Sequence, residues 1–158
     1  MTTVSTCLWF DGGIDEAAEF YVSVLPGSKL LGRSVYEAGG GPPDGPDMTG
    51  QALTVEIELL GVPYMLLNGG PQFPLSEAVS IVVTVDSQAE IDRLWEALVG
   101  GGGRESQCGW CVDRFGLSWQ IVPQQLTALL TGPHAEAVTA ELMTQVKLDI
   151  ARLEAAAG

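Results

Sequence analysis

Basic residues are scarce in this sequence. Seven Lys and Arg stand against 20 Asp and Glu, a net charge of −13. Such a surface repels phosphate backbones and anionic lipid headgroups, so nucleic acid and membranes are excluded as partners. The same excess keeps a surface soluble or matches a salty cytoplasm. Histidine is nearly missing: the single one, His134, reads as a polar residue at the start of a helix. Cysteine numbers three, Cys7, Cys108 and Cys111, an odd count that argues against a disulfide framework and for reduced thiols. No apolar run approaches the roughly 20 residues of a membrane span, and the first residues lack the basic start of a signal peptide. A cytoplasmic location is expected. Glycine clusters at 39–41 and 100–103 lack the Gly-Lys-Ser/Thr of a phosphate loop and read as turns.

Hydrophobic residues make up 46% of the chain, enough for one domain or two small modules sharing a core. A short apolar run at 6–10 is broken by Asp11-Gly12-Gly13. Ile14, Ala17, Ala18, Tyr21 and Leu25 then recur at helical spacing until Pro26-Gly27. Residues 28–36 are β-friendly, and 38–47, rich in Gly and Pro, read as a mobile loop. Leu53, Val55, Ile57 and Leu59 alternate with Thr54, Glu56 and Glu58 as a half-buried strand, which Gly61-Val62-Pro63 turns into 64–68.

After a Gly/Pro linker at 69–74 the order restarts. Residues 78–85 form a strand, Ser87 to Glu90 spell a capping box, and Ile91, Leu94, Trp95 and Leu98 share one helix face. A weak connection or strand at 104–107 precedes two aromatic-rich runs joined at Asp113-Arg114-Phe115-Gly116, a hairpin that closes a sheet. Within it Leu117, Trp119 and Ile121 share one face, and Ser118, Gln120 and Val122 the other. A short helical run at 124–130 follows, then one final helix with Val138, Leu142, Val146, Ile150 and Leu153 on a single stripe. That stripe must bury itself on its own domain or on a second chain.

Several motifs carry chemical readings. Cys108-Gly109-Trp110-Cys111 has redox-dithiol spacing, but it leads into a hairpin rather than opening a helix, which favours structural cysteines. Glu56 and Glu58 share a strand face and are read either as an acid/base pair or as a solvated face. Trp95 is core by its helical register, while Trp9, Trp110 and Trp119 fit either core or ligand stacking. Ser80 and Gln120, polar residues interrupting apolar strands, are candidate pocket groups.

Leu8-Trp9-Phe10-Asp11-Gly12 before Ala17-Ala18-Glu19-Phe20-Tyr21, then Leu67-Asn68-Gly69-Gly70-Pro71, then Gln107-Cys108-Gly109-Trp110 with Phe115-Gly116-Leu117-Ser118-Trp119-Gln120, resemble the PhnB-like branch of the glyoxalase/vicinal oxygen chelate superfamily. The resemblance implies an α+β, glyoxalase-like fold, with two βαβββ modules at 4–68 and 78–123 forming a cupped pocket in a domain spanning 1–123. Residues 124–158 would be a helical extension, and a second subunit, in a homodimer, would often complete the pocket. Metal-dependent members hold four His or Glu ligands. The corresponding positions here, Thr6, the stretch 66–68, Ser80 and Gln120, offer neither residue type, so no metal and no cofactor is expected. Relatives also carry a demethylubiquinone methyltransferase-like label, for which no Gly-rich strand-to-helix turn is apparent. The expected function is metal-free binding of a small organic molecule by Asn68, Ser80 and Gln120 against a Trp110 wall, with catalytic residues unassigned. The alternative is a metal-dependent lyase, isomerase or dioxygenase in which Glu56 and Glu58 take part.

Overall fold

The computed structural model describes residues 1–41 and 45–158. The chain divides into two units, Met1–Leu75 and Ser76–Gly158. In the first, β1 (Thr6–Phe10), α1 (Ile14–Val24), β2 (Lys29–Val35), β3 (Ala52–Leu59) and β4 (Val62–Asn68) build a four-stranded sheet of order β1-β4-β3-β2. The second repeats the plan with β5 (Ser80–Val85), α2 (Gln88–Val99), β6 (Arg104–Glu105), β7 (Trp110–Val112) and β8 (Ser118–Pro123), in the order β5-β8-β7-β6. In each unit the first strand runs parallel to the last and the remaining neighbours are antiparallel. The duplicated order expected from the sequence is therefore realised strand by strand.

Each helix covers one face of its sheet because its apolar residues fall on one stripe. On α1 the buried set is Ile14, Ala17, Ala18, Tyr21 and Val24. Its start is set by Gly12 and Gly13, both at positive φ, and the acidic pair Asp15 and Glu16 sits in the first turn, where the N-terminal dipole favours negative charge. On α2 the buried residues are Ile91, Leu94, Trp95 and Leu98, and the Ser87 hydroxyl caps the helix by accepting from the Glu90 N–H.

Strand alternation sorts the other faces. On β8, Trp119 and Ile121 are fully buried and Gln120 and Val122 are not. On β3, Val55, Ile57 and Leu59 point inward while Glu56 is exposed. The Gly/Pro-rich loop lies outside regular structure in its described part, where Met48 is buried and its N–H donates to Gly40 O; the rest, 42–44, lies outside the described residues.

The tail departs from the sequence reading. The single final helix is instead α4 (Ala135–Leu142) and α5 (Ile150–Ala156), preceded by α3 (Leu126–Thr131). Between α4 and α5 the chain leaves the helix through turns and bends and is held beside the start of β7, with Cys108 N–H donating to Gln145 O and Gly109 N–H to Val146 O. These backbone bonds win over helical ones because Gln88 holds the non-helical form, donating to Leu148 O and accepting from Ile150 N. The stripe is replaced by three fully buried residues, Val138, Leu148 and Leu153. Residues 124–158 fall within the second compact unit, Ser76–Gly158.

Candidate functional site

The face of the second sheet turned away from α2 gathers three of the residues singled out from the sequence. Val82, Gln120 and Trp110 stand in one row across β5, β8 and β7, since Val82 pairs with Gln120 and Gln120 with Trp110. In the adjoining row Ser80 pairs with Ser118, and Ser118 with Val112. The Gln120 Nε2 donates to Ser80 Oγ at 2.9 Å. That bond leaves the Ser80 hydroxyl proton and the Gln120 carbonyl oxygen for other partners. Trp110 is half-buried and Val82 half-exposed, so the row offers an indole, a carboxamide and an apolar side chain together.

The β7 end of this face is fixed by the turns around it. Asp113 is 3% exposed, and its Oδ1 accepts from the N–H groups of Phe115 and Leu117 while Oδ2 accepts from the Trp119 indole N–H at 2.8 Å. One carboxylate therefore closes the hairpin and orients the core tryptophan beneath Gln120. Sequence reading took Asp113 only as a turn residue; the Asp-x-x-Gly spacing was the available signal for an Asx turn.

Asn68 does not join this group. It ends β4 in the first unit, 4% exposed, with its Oδ1 accepting from Gly12 N–H and its Nδ2 donating to Ala52 O, each at 3.0 Å. Paired with Phe10, it lies on the α1 side of its sheet and borders a depression of about 280 Å³ that Asp15 and Arg33 also line. Each end of the Asn68 carboxamide makes a hydrogen bond inside the fold, which holds the side chain in place between β1, β3 and the α1 turn.

The cysteine pair is also separated. Cys111 is fully buried on the α2 side, and burial, followed by the charges of Asp113 and Glu105, pushes its thiol up to about 12. Cys108 sits at φ 57°, with its Sγ 3.6 Å from Met143 Sδ. A thiol that stays protonated is no nucleophile, so the redox reading fails at Cys111. Cys111 is expected to resist thiol reagents at pH 8 until the protein unfolds, while Cys7 and Cys108 react natively; mass mapping of the labelled protein checks this. The sign of the pH effect follows. The unfolded thiol ionises from about pH 9 and the folded one only near 12, so the contribution is complete below pH 9 and is lost at up to about 1.4 kcal/mol per pH unit above it.

The metal-ligand positions implied by the resemblance do not fit a metal. Ser80 and Gln120 are on the open face but are neutral oxygen and amide donors bonded to each other. Thr6 falls on the α1 side of its sheet by alternation with Leu8, leaving Cys7, Trp9, Met65 and Leu67 among the open-face residues of β1 and β4. Among the described residues no three His, Cys, Asp or Glu come together as a ligand group. Glu56 and Glu58 do share a face, but Glu58 is taken by Lys29 at 3.0 Å.

With this geometry in place, a family profile described as 3-demethylubiquinone-9 3-methyltransferase matches residues 2–122. The chain belongs to this family. It is the PhnB-like branch of the glyoxalase/vicinal oxygen chelate superfamily. A PhnB protein from Bacillus cereus carrying the same methyltransferase designation is 26% identical, with 77% of this chain and 99% of that one covered and a TM-score of 0.66. Protein PA1353 from Pseudomonas aeruginosa is 25% identical, covering 78% and 98%, with a TM-score of 0.59. The fosfomycin resistance protein FosX from Mesorhizobium loti shares the fold at 11% identity, covering 83% and 98%, with a TM-score of 0.55. No curated protein matches. The family's designation draws attention to the turn between β1 and α1, which does carry two glycines, contrary to the sequence reading. That turn is filled by the Asn68 carboxamide bonded to Gly12 N–H, and the mixed sheet beside it is not doubly wound, so the residues do not fit a nucleotide-like methyl donor there.

Proposed function

We propose that this PhnB-like protein binds a small organic molecule on the open face of the β5-β8-β7 sheet without a metal, sequestering it rather than converting it, and works as a homodimer in the cytoplasm. The observation that carries the reading is the Gln120–Ser80 bond beside Trp110. It pre-orients a carboxamide and a hydroxyl with unused donor and acceptor capacity next to an indole wall. A few fixed polar groups on an apolar lining are what small-molecule sites need for affinity and orientation. The neutral donor set supplies neither a nucleophile nor a strong metal ligand on this face, and the protonated Cys111 is buried on the opposite one. Asn68 is left out because its amide is already engaged.

Native mass spectrometry of protein purified without chelator reports mass, metal and any carried compound together. A compound found this way is expected to bind Gln120→Ala at least about tenfold more weakly, as the lost hydrogen bonds and pre-orientation dictate. The unfolding midpoint should stay within a few degrees, since Gln120 is half-buried. Unchanged affinity in Gln120→Ala, or one divalent ion per site, overturns the reading.

A further inference from the structure

The first sheet has an open face of its own, and its chemistry differs. Cys7, Met65, Glu56 and Gly32 form one row across β1, β4, β3 and β2; Trp9, Leu67, Thr54 and Ser34 form the next. Glu56 is exposed and, among the described residues, has no ion-pair or hydrogen-bond partner, whereas its neighbour Glu58 is neutralised by Lys29. A Cβ at Gly32 would approach Glu56 Oε2 to 3.4 Å, so the glycine leaves that side of the carboxylate open.

Two strand spacings away, about 10 Å across the sheet, Trp9 meets Phe73 edge to face, with centroids 5.0 Å apart and planes at 81°. The indole is locked there. Its N–H donates to Gly70 O at 2.7 Å, and Gly69 is indispensable because a Cβ would fall 2.3 Å from the ring. Half-buried Met65 and Leu67 floor the space between this aromatic corner and Glu56.

Charge decides what fits. Six of the seven basic side chains are ion-paired, Lys29, Arg33, Arg93, Arg104, Lys147 and Arg152, and the seventh, Arg114, lies over the Phe115 ring at 4.7 Å. An anion would meet a net charge of −13 and no uncommitted base among the described residues. We propose that this face binds an organic amine, its ammonium against Glu56 and its apolar body over Met65 and Leu67 reaching the Trp9–Phe73 corner. Carboxylate attraction acts on the ligand's charge, and the aromatic corner packs against the far end of its apolar body. This site uses different residues from the Gln120 face and does not depend on that reading.

The test is a titration followed by two-dimensional amide and indole NMR at low salt with three matched probes: 4-phenylbutylamine, 4-phenylbutan-1-ol and 4-phenylbutyrate. The amine is expected to shift the Trp9 indole resonance and to bind about fivefold tighter than the alcohol, with the acid weakest. Glu56→Gln should bring the amine down to the alcohol. Glu136→Gln, the same change in net charge on exposed α4, should leave the ratio intact and so separates a local carboxylate from the general field. Equal binding of amine and alcohol, a preference that survives Glu56→Gln, or shifts confined to residues away from Trp9 and Glu56 would each overturn the proposal.

Discussion

Asp113→Ala is expected to lower the unfolding free energy by about 3–5 kcal/mol, the range for removing one partner from a buried charged network. The carboxylate accepts from two backbone N–H groups and the Trp119 indole, all at 3.1 Å or less, in a site only 3% exposed. Alanine leaves these donors without acceptors and opens a void against Trp119, itself fully buried. At roughly 2–4 °C per kcal/mol for a chain of this size, the melting temperature should fall by about 6–20 °C. Asp113→Asn keeps one acceptor oxygen but turns an N–H toward a donor, so it should lie between wild type and alanine. Urea unfolding followed by tryptophan fluorescence and near-ultraviolet circular dichroism measures both variants. A loss under about 1 kcal/mol for alanine would show that water replaces the carboxylate.

The second large effect concerns the tail. Leu148→Ala should destabilise by about 2–5 kcal/mol, because Leu148 is fully buried and packs against Gly109, where even a Cβ would stand 3.0 Å from it. Deleting residues 144–158 should be worse. It removes Leu148 and Leu153 together, about 2 kcal/mol of apolar burial each, and takes Gln145 O and Val146 O away from the Cys108 and Gly109 N–H groups. The ion pair of Lys147 with Asp92 goes as well, though exposed pairs of this kind contribute little. The shortened protein is expected to lose the cooperative thermal transition of the second unit, read by near-ultraviolet circular dichroism. A tail that merely decorated the fold would leave that transition within a few degrees of wild type.

Much of the architecture is local in origin and could be read residue by residue. The stripe Ile91, Leu94, Trp95, Leu98 needs only the helical repeat, and the alternation along β3 and β8 needs only the pleat, so helices, strands and their buried faces follow directly. The Ser80 and Gln120 assignments rest on the same alternation, which is why the two were found on one face. Asn68 stands apart from them by a one-residue matter of register: on β4 its neighbour Leu67 points to the open side and Asn68 to the α1 side.

By itself the sequence determined the repeated strand–helix–strand order, the apolar faces, the acidic and cation-poor surface, and the family resemblance that the profile match bears out. Only the tertiary structure decided how polar groups far apart in the chain are consumed. It gave Asn68 to Gly12 and Ala52, Asp113 to Trp119, and Gln88 to the 148–150 backbone, while leaving Glu56 without a partner among the described residues. The same competition turned an unbroken helical stripe into two helices and an irregular segment, since the N–H groups of the Cys108–Gly109 turn needed acceptors that a continuous helix could not have supplied. Periodicity is set by neighbours three or four residues away, but hydrogen-bond satisfaction is settled across the whole unit.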